Sequence, residues 1–112
     1  MAEQLVPIFR IADADIAVAW YRRLGFESTG THQFEPDLPR YVFLERGDSH
    51  LHLSEHAGDA PHRSVAYLYV DDVDAIAAAF GVSADDQPWG MREVGLTDPD
   101  GNRLRIGSRN PG

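Results

Sequence analysis

The stretch QPWGMREVGLTDPDGNRLRIG, residues 87–107, reads as strand, tight turn, strand. Its turn is Asp98-Pro99-Asp100-Gly101-Asn102, rich in the residue types that tolerate turn geometry. Upstream lie Trp89, placed before the strand where a core position is hard to reach, and the loop residues Asp85-Asp86. Before them Val73, Ile76, Ala77 and Phe80 recur at helical spacing, with Asp71 or Asp72 as cap and Gly81 as stop. The run VAYLYV, residues 65–70, is the strongest strand signal in the chain.

The first half has the same order. LVPIFRI (5–11) reads as a strand with Pro7 near its start, which favours an edge or early position. Asp13 or Asp15 caps a helix over 15–24, in which Ile16, Trp20 and Leu24 form an apolar stripe. Trp20 and Phe80, on their helical stripes, are expected in the core. Gly25 ends the first helix. A short strand (26–31) and a loop (32–39) follow, then RYVFLER (40–46) and SHLHLSE (49–55), joined through Gly47-Asp48 as a hairpin. The polar run HAGDAPHR (56–63) connects the halves.

IADADIAVAWYRRLGF lies over VDDVDAIAAAFGV with three residues deleted. The expectation is one α+β domain over 1–112, built from two pseudo-duplicated βαβββ modules, about 4–57 and 63–110, with sheets curled around a cleft. An unrelated α+β sandwich is the alternative.

Composition excludes several chemistries. There is no cysteine, which removes disulfides, thiolate zinc sites and cysteine nucleophiles. The 10 basic residues are all arginine, so a Schiff-base lysine and a phosphate-loop lysine are ruled out. A net charge of −8 argues against nucleic acid as partner. No apolar run approaches the roughly 20 residues of a membrane span. MAEQLVPIFR has neither the basic start nor the apolar core of a signal peptide, so a cytoplasmic location is expected.

WYRRLGF, DDVDA and above all PWGMREVGLTDPDGNRLRI resemble the glyoxalase/bleomycin resistance/extradiol dioxygenase (vicinal oxygen chelate) superfamily, most closely its bleomycin resistance proteins. The resemblance runs over nearly the whole chain. It implies paired βαβββ modules and a homodimer with ligand crevices at the subunit boundary. Enzymes of the superfamily bind a divalent metal through the first and last strands of each module. Transferred by motif, those positions fall on Val6, His52, Val65 and Arg105. Valine has no donor atom, arginine repels a cation, and a lone His52 is too few ligands. The resemblance therefore implies a metal-independent binder with no cofactor.

Strand alternation adds Tyr67 and Tyr69 to the face of Val65, His50 and Ser54 to that of His52, Arg103 to that of Arg105, and Ile8 to that of Val6. In the resistance proteins aromatic rings stack on the drug's bithiazole and acidic groups receive its cationic tail. Carried over by motif, Tyr41, Tyr67 and Trp89 would stack, Ser54 would hydrogen-bond, and Asp85 and Asp86 would steer the cation. Duller readings stand beside these: Tyr67 and Tyr69 as core tyrosines, Trp89 as a dimer-interface anchor, Asp85-Asp86 as a solvated tip. The expected function is capture of a bleomycin-like glycopeptide antibiotic. The rivals are a superfamily enzyme (a metal-dependent lyase, isomerase or dioxygenase) with an unorthodox site on His50 and His52, which Glu55 could join only through a strand bulge, and a binder of another metabolite.

Overall fold

Both helices start on an aspartate and stop on a glycine. In the computed structural model, which describes residues 3–110, α1 spans Ala14–Arg23 and α2 spans Val73–Ala79. Asp13, rather than Asp15, caps α1, its carboxylate accepting from the backbone N–H groups of Asp15 and Ile16. Asp72 caps α2 through Ala75 N. At the other end Gly25 N donates to Arg22 O and Phe26 N to Tyr21 O. Gly81 N and Val82 N repeat the pattern on Ala78 O and Ala77 O. This double closure needs a left-handed residue after the cap, and Gly25 and Gly81 have φ of 95° and 68°.

Around each helix the chain lays four strands in one order. β1 (Ile8–Arg10), β2 (Glu27–His32), β3 (Tyr41–Arg46) and β4 (Ser49–Ser54) form a sheet ordered β1-β4-β3-β2. β5 (Val65–Tyr69), β6 (Asp85–Asp86), β7 (Met91–Thr97) and β8 (Arg103–Arg109) form a second, ordered β5-β8-β7-β6. In each the first strand pairs parallel with the last and the other pairings are antiparallel. The fold is thus a duplicated βαβββ unit. The chain divides into two compact units: everything up to Ser64 together with Asp98–Asn102, and Val65–Thr97 with Arg103 onward. No helix among the described residues is long and apolar enough to cross a membrane.

Strand alternation sorts each sheet into an inner and an outer face. Phe9, Val42, Leu44, Leu51 and Leu53 are buried on the first sheet. Leu68, Val94, Leu96, Leu104 and Ile106 are buried on the second, where α2 contributes Val73, Ile76 and Ala77. Three expectations are corrected. The buried stripe of α1 is Ala14, Ala17, Tyr21 and, at its cap, Leu24; Ile16 is 58% exposed and Trp20 only half-buried. Spacings of three and four residues fit either stripe, and the small alanines let the helix lie close to its sheet. Phe80 is likewise half-buried, as the cap of α2. The first strand is shorter than 5–11, because Pro7 has no N–H to pair; its carbonyl still accepts from His52 N at 3.0 Å.

The turn of the opening stretch is a hydrogen-bonded knot within the first unit. The buried Asp98 carboxylate accepts from Asp100 N and Asn102 N through Oδ1, at 2.8 and 2.9 Å. Its Oδ2 accepts from Tyr21 Oη at 2.7 Å and Asn102 Nδ2 at 3.0 Å. Asn102 also donates to Arg10 O and accepts from Ser64 N. Burial and then the Asp98 hydrogen bond raise the Tyr21 hydroxyl far above a free phenol, so it stays a donor at any ordinary pH. Glu55 does similar work nearby: its carboxylate accepts from Ala14 N, Arg40 N and the Arg40 guanidinium.

Candidate ligand-binding site

The outer face of the first sheet pairs Tyr41 with Ser54 and Phe43 with His52 across β3 and β4. Tyr41 Oη lies 2.8 Å from His52 Nδ1, and the Phe43 and His52 rings meet edge to face, 4.8 Å apart. Tyr41 and Phe43 open onto a cavity of about 490 Å³ whose wall also includes His32, Phe34, His56 and Asp59. Ser54 is 0% exposed. Its hydroxyl donates to Asp59 Oδ2 at 2.7 Å and accepts from His56 N. Ser54 therefore aims the Asp59 carboxylate that lines this cavity. Burial, then the charge of His50, lowers the His52 pKa below the ordinary imidazole value. Neutral His52 can accept the Tyr41 hydrogen at Nδ1.

A lowered folded-state pKa means the unfolded chain holds more protons as His52 titrates. The His52 contribution to stability is present above about pH 6.5 and is lost as pH falls through the lower folded value. Chemical denaturation at pH 7.5 and pH 5.5 checks this: the wild type is expected to lose stability at the lower pH, and His52→Gln to lose measurably less.

The second unit centres on a residue that the sequence reading passed over. Glu93, on β7, is 7% exposed and lies on the outer face opposite Gly107. Its Oε2 accepts from Tyr67 Oη at 2.7 Å and from Trp89 Nε1 at 3.1 Å, and its Oε1 from Arg105 NH2 at 3.0 Å. Burial pushes its carboxyl up, but the Tyr67, Trp89 and Arg105 hydrogen bonds and the Arg105 charge outweigh it, and the net shift is down. Burial and then the Glu93 bond raise the Tyr67 hydroxyl to about 12. The Arg105 guanidinium carbon stands 5.8 Å from the Tyr67 ring centre. The run WGMRE contained the signal for Glu93. Counting back from the turn pairs Thr97 with Arg103, Gly95 with Arg105 and Glu93 with Gly107.

Gly107 is what lets Tyr67 reach Glu93, because a β-carbon built there would collide with Tyr67 Oη and crowd Met91 Cε. Gly107→Ala is expected to displace the tyrosine. Stability should fall by about 1–3 kcal/mol, and the phenol that titrates near 12 should return toward about 10 in an ultraviolet titration.

The other expected residues of this unit divide. Tyr69 is 74% exposed beside Tyr67, their ring centres 4.7 Å apart, so neither is a core tyrosine. Trp89 is 58% exposed. Asp85 and Asp86 form β6 instead of a loop. Asp86 is ion-paired with Arg92, which also binds Asp74. Asp85 shares with Gln87, Glu93 and Arg105 the wall of a cavity of about 340 Å³.

These positions do not fit a divalent metal. Val6 precedes β1, and the outer-face pairs on first and last strands are Ile8–His52, Val65–Arg103 and Tyr67–Arg105. On the first unit His52 stands beside the aliphatic Ile8; on the second, Val65, Arg103 and Arg105 offer a cation no lone pair, and Glu93 is taken up by three donors. Glu55, committed to Ala14 and Arg40, does not bulge toward the histidines.

Two βαβββ modules with aromatic outer faces define a glyoxalase-like fold. The chain belongs to the glyoxalase superfamily: the model described as "Glyoxalase superfamily protein" matches residues 1–112. It is similar to a bleomycin-binding protein solved in complex with bleomycin, at 26% identity over 96% of this chain and 99% of that one, TM-score 0.74. It is also similar to a bleomycin resistance determinant encoded on the transposon Tn5, at 25% identity over 96% and 98%, TM-score 0.77. A third is TnmS3, an antibiotic-binding protein from Streptomyces sp. CB03234, at 25% identity over 97% and 98%, TM-score 0.69. No curated protein matches the sequence.

Proposed function

We propose that this protein is a metal-independent binder of a bleomycin-like glycopeptide antibiotic, protecting by stoichiometric capture as a cytoplasmic homodimer. The observation that carries the reading is the exposed Trp89, set on a buried carboxylate that also holds Tyr67. An exposed indole anchored at its N–H presents its ring for stacking on a planar group. The similarity to a bleomycin-binding protein and to a resistance determinant supports the same ligand class. Tyr41 supplies an aromatic ring from the first unit, and Asp85 a carboxylate from the second. On the outer face of the second unit Arg105 and Tyr69 stand with Tyr67, and on that of the first His52 lies beside Tyr41.

A second reading is favoured by one feature. Asp86 is tied to Arg92, a guanidinium it shares with Asp74, so its carboxylate is less available to a cationic tail. A planar antibiotic of another class would suit that charge, and TnmS3 is named only as an antibiotic-binding protein. Tryptophan fluorescence titrated with bleomycin and with a planar, uncharged antibiotic separates the two. Quenching by bleomycin at about micromolar concentration supports the first. Quenching by the uncharged compound alone supports the second.

A further inference from the structure

Every donor aimed at Glu93 belongs to a side chain of one open face. Both carboxylate oxygens are engaged: Oε1 by Arg105, Oε2 by Tyr67 and Trp89. Trp89 sits in the segment between β6 and β7, flanked by Pro88 and by Gly90 at φ 84°. Among the described residues, Glu93 is the one hydrogen-bond partner of its indole. We propose that Glu93 is the positioning residue of this wall: through its hydrogen bonds it fixes Trp89 and Tyr67 in a stacking pose. The proposal rests on the binding role given to those two rings above.

The physical basis is preorganisation. An untethered exposed indole loses rotamer freedom when a ligand immobilises it, and that loss weakens binding. A bond to a buried carboxylate removes that freedom before the ligand arrives. The carboxylate is itself held at both oxygens: Gly107 opposite leaves room for the Tyr67 hydroxyl, and Arg105 closes the remaining oxygen. Glu93 also consumes the Trp89 N–H and the Tyr67 O–H. Those side chains then offer ring faces, and Arg105, with one of its nitrogens engaged, keeps further N–H donors for a ligand. Recognition here depends on the pose of the rings, which one residue sets.

The test has two arms. In wild-type protein and in Glu93→Gln, the two indole N–H signals, from Trp20 and Trp89, are followed by heteronuclear magnetic resonance. Glu93→Gln is expected to shift the Trp89 signal and speed its hydrogen exchange by about tenfold, with the Trp20 signal in place. In the second arm calorimetry measures bleomycin affinity for Glu93→Gln, for Trp89→Phe and for the double variant. The Glu93 substitution is expected to weaken binding about tenfold when Trp89 is present and by less than about threefold when phenylalanine, which has no N–H, replaces it. Unchanged Trp89 exchange, movement of both indole signals together, or an equal loss of affinity in both backgrounds would each overturn the proposal. Should wild-type protein fail to bind bleomycin, the functional reading falls, while the indole spectra still decide the positioning role.

Discussion

Asp98→Ala is expected to lower the unfolding free energy by about 3–5 kcal/mol, a large share of the roughly 5–15 kcal/mol typical of a domain. The carboxylate accepts four hydrogen bonds inside a buried cluster. Its removal strands the Tyr21 hydroxyl and the one Asn102 amide hydrogen not bound to Arg10 O, and each stranded donor costs about 1–3 kcal/mol. The turn loses the two bonds to Asp100 N and Asn102 N that hold it closed. Tyr21→Phe should cost less, about 1–2 kcal/mol, since the carboxylate keeps its other three donors. Urea denaturation of the two variants beside wild type gives both numbers. An Asp98→Ala loss under about 1 kcal/mol would mean that the knot does not hold this turn.

Trp89→Ala is expected to weaken bleomycin binding by more than about tenfold, or 1.4 kcal/mol, in a calorimetric titration. A stacked indole contributes about 0.5–1.5 kcal/mol beyond the apolar area it covers, and the area itself adds to this. The substitution removes one donor from Glu93 and leaves Tyr67 and Arg105 in place. Stability should therefore change little, and an affinity loss reports on the ring. Unchanged affinity would move the stacking role to another residue, with Tyr41 and Tyr69 the next candidates.

The fold was legible where the signal is local. A glycine after an aspartate-capped helix specifies both ends of that helix, and it occurs twice at matching positions, so the duplication could be read directly. Alternation placed Tyr67 and Tyr69 on the face of Val65, and Arg103 on that of Arg105; the pairing of Val65 with Arg103 and Tyr67 with Arg105 brings the two sets onto one face. The sequence was ambiguous where the deciding partner lies far along the chain. Ile16 and Trp20 match a helical period as well as Ala17 and Tyr21 do; Tyr21 is chosen because its hydroxyl meets Asp98, seventy-seven residues later. Ser54 shows a different limit: alternation gave its face, but it is fully buried and its hydroxyl is taken by Asp59 in the turn that follows. The paired β6 residues carry no apolar signal, because they join the sheet through backbone pairing and the Asp86–Arg92 ion pair.

Glu93 is the most instructive omission. A glutamate between Arg92 and Val94 on a strand next to a turn reads as an outward, solvated charge. It is buried because three donors, from β5, β8 and the segment before β7, converge on it. Alternation alone cannot report that convergence. The register adds one clue, a glycine directly opposite an acidic residue, which marks a place where a third side chain crosses the sheet.

Calorimetric titration of metal-stripped protein with metal-free bleomycin tests the central claim most directly. The account predicts saturable binding at about micromolar affinity or tighter, one drug per chain, unchanged when zinc or nickel is supplied to the protein beforehand. Absence of heat and of saturation up to about 100 µM drug, or binding that appears only after the protein has taken up metal, would contradict it.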